Sequence, residues 1–279
     1  MNISLDEIFT DKRIVFLGES IHGVNRFNAF RLIVARKYFK EESILVFEAD
    51  SSGMSLSQEL QENSSERLVN FPKVMKCQEV LDILSWSIEN NIPSLGIDCI
   101  PRREIHTFPE LWKQRRQQEI FLYQQNKQNS LYFEWRTAEM AENLLMLLNQ
   151  YPQQRFLVML HNLHIKCKGS AEIGELKVTS VRERIEMKLP GISFSLGQFA
   201  RNGNALHNNL SPFEFNITDP TAIESHYSGV DSVFIENGMM PGDIFAYHHA
   251  FEWETIPARE QYDACIIHQN VNIPSIVVQ

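Results

Sequence analysis

Arg13-Ile-Val-Phe-Leu-Gly18-Glu19-Ser20-Ile21-His22-Gly23 and, further on, Ser43-Ile-Leu-Val-Phe-Glu48-Ala49-Asp50 decide how this chain is read. Each is a short apolar run that stops abruptly at polar and acidic residues, the pattern of a parallel strand covered on both faces. Between them, residues 25–40 place Phe27, Phe30, Leu32, Ile33, Val34, Tyr38 and Phe39 with a helical period, which closes a strand-helix-strand crossover. Residues 93–99, 155–160, 191–198, 230–235, 243–247 and 264–268 read as further strands, and 78–90, 109–125 and 131–150 as helices. The alternation predicts an α/β fold with a mostly parallel central sheet flanked by helices, as a single domain over residues 1–279.

In such a sheet ligands collect beyond the carboxyl ends of the strands, where loops converge. The first strand ends in Glu19-Ser20-Ile21-His22, the second in Glu48-Ala49-Asp50, the third in Asp98 and the fourth in His161-Asn162-Leu163-His164. Carboxylates and imidazoles at successive strand ends are close enough to shift one another's pKa values, as acid/base chemistry requires. The helix from Leu131 puts Arg136, Met140, Asn143 and Leu147 on one stripe. A guanidinium on an inward stripe needs a partner: Arg136 is expected to pair with Glu19 or Glu48, either as a structural ion pair or as a stabiliser of a reacting oxyanion.

Composition excludes several classes. With 26 Lys plus Arg against 35 Asp plus Glu and a net charge of −9, the chain lacks the basic face of a nucleic-acid-binding protein. No apolar run has the roughly 20 residues that span a bilayer, and no leader segment is visible at MNISLDEIF, so the chain reads as cytoplasmic and free of membrane. Cys77, Cys99, Cys167 and Cys265 stand singly, as structural thiols do. There is no G-x-S-x-G elbow, P-loop, Rossmann glycine fingerprint or H-E-x-x-H, so a hydrolase built on this pattern would use a water activated by His or Glu, with or without a metal.

Gly18-Glu19-Ser20-Ile21-His22-Gly23, Phe47-Glu48-Ala49-Asp50, Glu79-Val80-Leu81-Asp82-Ile83-Leu84 before Trp86, Gly96-Ile97-Asp98, Arg136 with Met140-Ala141-Glu142-Asn143, and His161-Asn162-Leu163-His164 form an ordered set. That set resembles the motifs of the erythromycin esterase family over residues 13 to about 200, with a fainter continuation at 229–237. The resemblance implies a core shared with ChaN-like and TIKI-like proteins, and an esterase or lactonase chemistry in which His22 is the general base toward water. On the same resemblance Glu19 orients His22, Glu48 holds water or the imidazole, and Arg136 and His161 stabilise the oxyanion. His164, Arg31, Asn143 and Asp98 are the expected substrate contacts, with Arg26 a weaker one. The implied activity needs no cofactor and acts on a small molecule, in antibiotic resistance or natural-product biosynthesis. An unperturbed imidazole pKa near 6.5 suits His22 to this role.

The stretch between Asp98 and Arg136 has room for one helix and a short link, so residues 101–150 are expected to form a reduced helical lid. A partner copy in a homo-oligomer is one way to complete such a pocket. Three alternatives stay open. The same groups run in reverse describe a cyclase or dehydrating tailoring enzyme. A metal-dependent enzyme would use His22, Glu19, Glu48, His161 and His164 as ligands. A ligand- or haem-binding protein on this scaffold would draw on His248-His249 or His268. Residues 201–211 read as a loop or hairpin near the cleft mouth, with His207 solvated.

Overall fold

Every residue of Ile14–Leu17 (β1) and of Ser43–Asp50 (β2) is buried, because both faces of the sheet they build are covered. The computed structural model describes residues 9, 11–226 and 231–277. The remaining strands are β3 (Ser94–Asp98), β4 (Arg155–Met159), β5 (Ser193–Ala200), β6 (Asn202–Leu206), β7 (Pro212–Asn216), β8 (Ser232–Glu236), β9 (Tyr247–His248), β10 (Glu252–Trp253) and β11 (Ala264–His268). The central sheet has seven strands in the order β3-β2-β4-β1-β5-β11-β8, parallel throughout except for β8, which pairs antiparallel with β11. The protein is therefore an α/β chain with a mostly parallel sheet flanked by helices.

Alternation along β1 feeds two cores. Val15 and Leu17 join one that includes Val34 and Ala35 of α1 (Asn25–Tyr38) and Val80, Ile83 and Leu84 of α3 (Gln78–Glu89), α2 being Ser51–Glu59. Ile14 and Phe16 join the opposite core, with Met140, Ala141, Leu144 and Leu148 of α5 (Tyr132–Gln150) and Val181 and Ile185 of α6 (Val181–Lys188), α4 being Glu110–Asn126. The chain leaves β1 toward β2 over the first face and leaves the neighbouring β4 toward β5 over the second. Strand order thus reverses between β1 and β4, and the crevice opens at their carboxyl ends.

Three expectations need correction. The segment 101–150 is not a lid as a whole: α5 packs its apolar stripe on the sheet as a core helix, and only the stretch through α4, whose one buried residue is Arg116, stands outside. Residues 243–247 do not form a sheet strand. Ile244 and Ala246 turn into the core, Phe245 makes a single bridge to Ala222, and Tyr247 already belongs to the short β9–β10 pair. The edge strand near 230–235 starts at Ser232, and Val230 lies outside the described residues. The 201–211 region is the turn side of the β6–β7 hairpin. No helix among the described residues is long and apolar enough to cross a membrane.

Candidate active site

Beyond β1 the backbone must turn sharply, and Gly23 permits it: its φ is +73°, and a Cβ there would stand 2.8 Å from the Leu206 carbonyl oxygen. This close approach seats the β6–β7 hairpin against the loop that carries His22. The His22 Nδ1 lies 2.8 Å from Glu19 Oε1, which leaves Nε2 as the nitrogen available to water or substrate. Glu19 is fixed from below by Arg31, whose Nη1 donates to Glu19 Oε2 at 3.1 Å. Arg31 is 1% exposed and also donates to Asn28 Oδ1 and to the carbonyls of Leu17 and Leu160. It is an internal clamp beneath Glu19 rather than the substrate contact expected for it. Arg26 points elsewhere, pairing with Asp231 at 2.8 Å.

Burial by itself lowers the His22 pKa, but the Glu19 hydrogen bond and charge, with Glu48 adding to them, more than reverse this and raise it. The ring therefore holds its proton more firmly than an ordinary histidine, a correction to the unperturbed value expected from the sequence. The neutral fraction at pH 7 is smaller, and the imidazolium formed on accepting a proton is better stabilised.

Glu48 and Asp98 do not face the cleft as free acids. Arg136 lies between them, with Nη2 2.6 Å from Glu48 Oε1 and 2.9 Å from Asp98 Oδ2, and Nε 2.9 Å from Asp98 Oδ1. Of the two partners foreseen for Arg136, the structure shows Glu48. Burial pushes both carboxyls upward, but Arg136 outweighs it, so both end below the usual carboxylate range. The second oxygen of Glu48 accepts the His161 backbone N–H at 2.8 Å. His164 approaches Glu48 Oε1 at 3.8 Å through Nε2 and meets Thr137 Oγ1 at 3.2 Å through Nδ1; burial draws its pKa down to about 4. This is a buried charge network in which Arg136 is already neutralised by two carboxylates.

His161 faces the Ser20 carbonyl at 3.1 Å through Nε2 and accepts the Leu163 N–H at 3.3 Å through Nδ1, so it sits as a neutral ring. Burial, then His249 and His248, hold its pKa well below the ordinary value. Its ring lies 4.7 Å from that of His22, 4.6 Å from His248 and 4.6 Å from His249, centroid to centroid. A cavity of about 200 Å³ opens over His22 and is walled by Ile21, Leu206, His207, Asn208, Phe213, His249 and Phe251. His207 is exposed but stacks on Phe213 at 4.2 Å, so it belongs to an aromatic wall.

A separate cavity of about 160 Å³ lies over the ends of β2 and β3, lined in part by Asp98, Cys99, Glu119, Trp135 and Asn143. Asn143 donates to the Ile97 carbonyl at 2.9 Å. Asp50 takes a bidentate clasp from Arg116 and the backbone N–H groups of Arg102 and Arg103, which ties α4 to the sheet. The candidate residues thus divide: His22 lines one cavity, with Glu19 and His161 against its ring, Asp98 and Asn143 line the other, and Glu48, Arg136 and His164 are buried in the charge network and line neither. His248 and His249 were placed by sequence only as haem ligands, yet they complete the ring cluster beside His22. The His-His pair ahead of Ala250-Phe251 was the available signal. His268 stands outside that cluster, with Nδ1 2.9 Å from Ser232 Oγ. Glu19 and Glu48 are committed to His22, Arg31, Arg136 and backbone. The one grouping among the described residues with a metal-ligand arrangement is His161, His248 and His249. Cys77, Cys99, Cys167 and Cys265 carry free thiols; burial pushes Cys77 up to about 12 and Cys167 up to about 11.

A parallel α/β sheet with a histidine-carboxylate pair at its switch point describes a scaffold for hydrolases and ligand-binding proteins alike. Among solved structures the chain is similar to a Bacillus cereus protein (16% identity over 100% of this chain and 94% of that one, TM-score 0.72). It is similar also to a succinoglycan biosynthesis protein (13% identity, 98% and 91% coverage, TM-score 0.71). A third is a mutant of the erythromycin esterase EreC in its open conformation (10% identity, 99% and 95% coverage, TM-score 0.70). No family model matches the chain, and no curated protein matches it in sequence. The relationship to the erythromycin esterase is thus one of fold.

Proposed function

We propose that the protein hydrolyses an ester, lactone or related acyl bond of a small uncharged molecule, with His22 as the general base toward water. The observation that carries this reading is the Glu19–His22 pair: Nδ1 is held at 2.8 Å by a carboxylate that Arg31 fixes in turn, and the ring lines an open cavity. Neutral His22 takes a proton from water through Nε2 as the water oxygen attacks the acyl carbon. Glu19 keeps the ring in the tautomer that presents Nε2 and stabilises the imidazolium, which then returns the proton to the leaving oxygen. The likeness in fold to an erythromycin esterase supports the reaction class.

The cavity wall sets the substrate's character. Ile21, Leu206, Phe213 and Phe251 are apolar, and among the described residues no Asp, Glu, Lys or Arg lines it, so an uncharged acyl compound fits it best. The same base and cavity serve the reverse closure of a lactone, and the direction is set by the substrate supplied. The test is hydrolysis of a panel of aryl and alkyl esters and lactones in ¹⁸O-labelled water. The reading expects turnover of uncharged members with the label in the carboxylate product. Absence of turnover across the panel, with binding of the same compounds retained, would make this a binding protein.

A further inference from the structure

We propose that His161, His248 and His249 form a binding site for one divalent transition-metal ion of the zinc class beside His22. Among the described residues their ligand atoms lie within 4.8 Å of one another, and the rings of His248 and His249 stand 4.4 Å apart, centroid to centroid. Consecutive residues in extended chain point to opposite faces, so bringing two adjacent rings to a third requires a bend. The bend is present: His249 has φ +52° and Ala250 φ +65°, a left-handed conformation that non-glycine residues adopt at a cost. It is pinned to the catalytic loop by the His249 N–H, which donates to the Ser20 carbonyl at 2.9 Å, and closed by the Phe251 N–H on the His248 carbonyl at 3.1 Å.

A second observation points to a ligand. His248 is 7% exposed and its Nδ1 has no hydrogen-bond partner among the described residues, and a buried orphan of this kind calls for an occupant. Among the described residues no carboxylate forms an ion pair or hydrogen bond with any of the three rings. A cluster of neutral imidazoles is the donor set that zinc, nickel and copper prefer, whereas calcium and magnesium require oxygen ligands. His161 has the support such ligands use, since a backbone carbonyl, that of Ser20, stands 3.1 Å from one ring nitrogen. Its other bond, from the Leu163 N–H at 3.3 Å, is long and is readily exchanged for a metal. Three protein ligands leave a fourth position for water, next to the His22 ring.

Metal binding is independent of the acyl-hydrolysis reading and is measured without turnover. The full chain, stripped of metal by dialysis, is titrated with Zn²⁺ in a calorimeter and with Co²⁺ followed by its visible absorption. The proposal expects one site per chain, a tetrahedral-type Co²⁺ spectrum, and no binding of Mg²⁺. His248→Ala and His249→Ala should each weaken Zn²⁺ binding at least about 100-fold, whereas His268→Ala, a buried histidine outside the cluster, should leave it unchanged. Circular dichroism confirms the fold of each variant, and His249→Gln replaces any that fails. No saturable binding, or one-to-one binding that survives both cluster substitutions, overturns the proposal.

Discussion

Glu224 offers a quantitative handle on the turn that carries His248 and His249. It lies in the single-turn helix Ile223–His226, is 1% exposed, and accepts the Tyr247 N–H at 2.8 Å through Oε1, while Oε2 has no partner among the described residues. Burial raises its pKa to about 8, and the Tyr247 N–H only partly opposes this. Against an ordinary 4.5, the folded protein keeps a proton that the unfolded chain has released throughout the interval between the two values. Stability contributed by this residue is therefore intact below pH 4.5, declines as pH rises, and levels off above about 8. At about 1.4 kcal/mol per pH unit, reduced for relaxation and water entry on ionisation, the loss amounts to roughly 3–5 kcal/mol. Glu224→Gln keeps the shape and removes the ionisation. Urea unfolding of both proteins at pH 5 and pH 8 isolates the effect, because every other titrating group is common to both. The variant should gain roughly 2–3.5 kcal/mol on wild type between those pH values, the part of the interval that they span. A gap of the same size at both would refute the reasoning.

Two other substitutions probe the charge networks. Arg136→Met takes the guanidinium from Glu48 and leaves Asp98 with Arg102 alone, 3.1 Å away, and should cost roughly 3–5 kcal/mol in chemical unfolding; a cost under about 1 kcal/mol would mean the network is not buried as described. Glu19→Gln keeps the volume but removes the charge that stabilises the His22 imidazolium. It should lower kcat for acyl hydrolysis about 10²- to 10⁴-fold with substrate binding little changed; wild-type kcat would refute Glu19's part.

The architecture was legible wherever local pattern and tertiary context agreed. β1, β2 and β4 are apolar runs with polar ends, and the polar ends alone put Glu19, Glu48 and His161 at one edge of the sheet. The stripe of α5 was half visible: Arg136 and Met140 are buried as read, whereas Asn143 and Leu147 are half-buried and the buried face continues through Leu144 and Leu148 instead. Its reading as part of a lid failed because sequence shows that a face is apolar, not what the face meets. Arg31 shows the same gap in polar form: a guanidinium near a reactive loop reads as a substrate contact, and only the carbonyls of Leu17 and Leu160 reveal a clamp. Residues 243–247 have strand composition, yet their pairing is confined to the Phe245–Ala222 bridge and the Tyr247–Trp253 pair, and the chain turns inward between them and the central sheet. The ring cluster was the least legible part. His248 and His249 lie far along the chain from His161, and their approach depends on left-handed φ values at His249 and Ala250 that residue type does not advertise. Likewise the raised His22 pKa follows from the 2.8 Å contact with Glu19, a distance rather than a pattern.

The central claim is that His22 is the base that activates water. It is tested most directly by comparing kcat/KM of wild type and His22→Ala on the best uncharged ester of the panel, with both proteins shown by circular dichroism to be folded. The account predicts a loss of about 10²- to 10⁴-fold, carried by kcat, because the cavity wall that binds the substrate is left in place. Turnover by His22→Ala within a few-fold of wild type would contradict it.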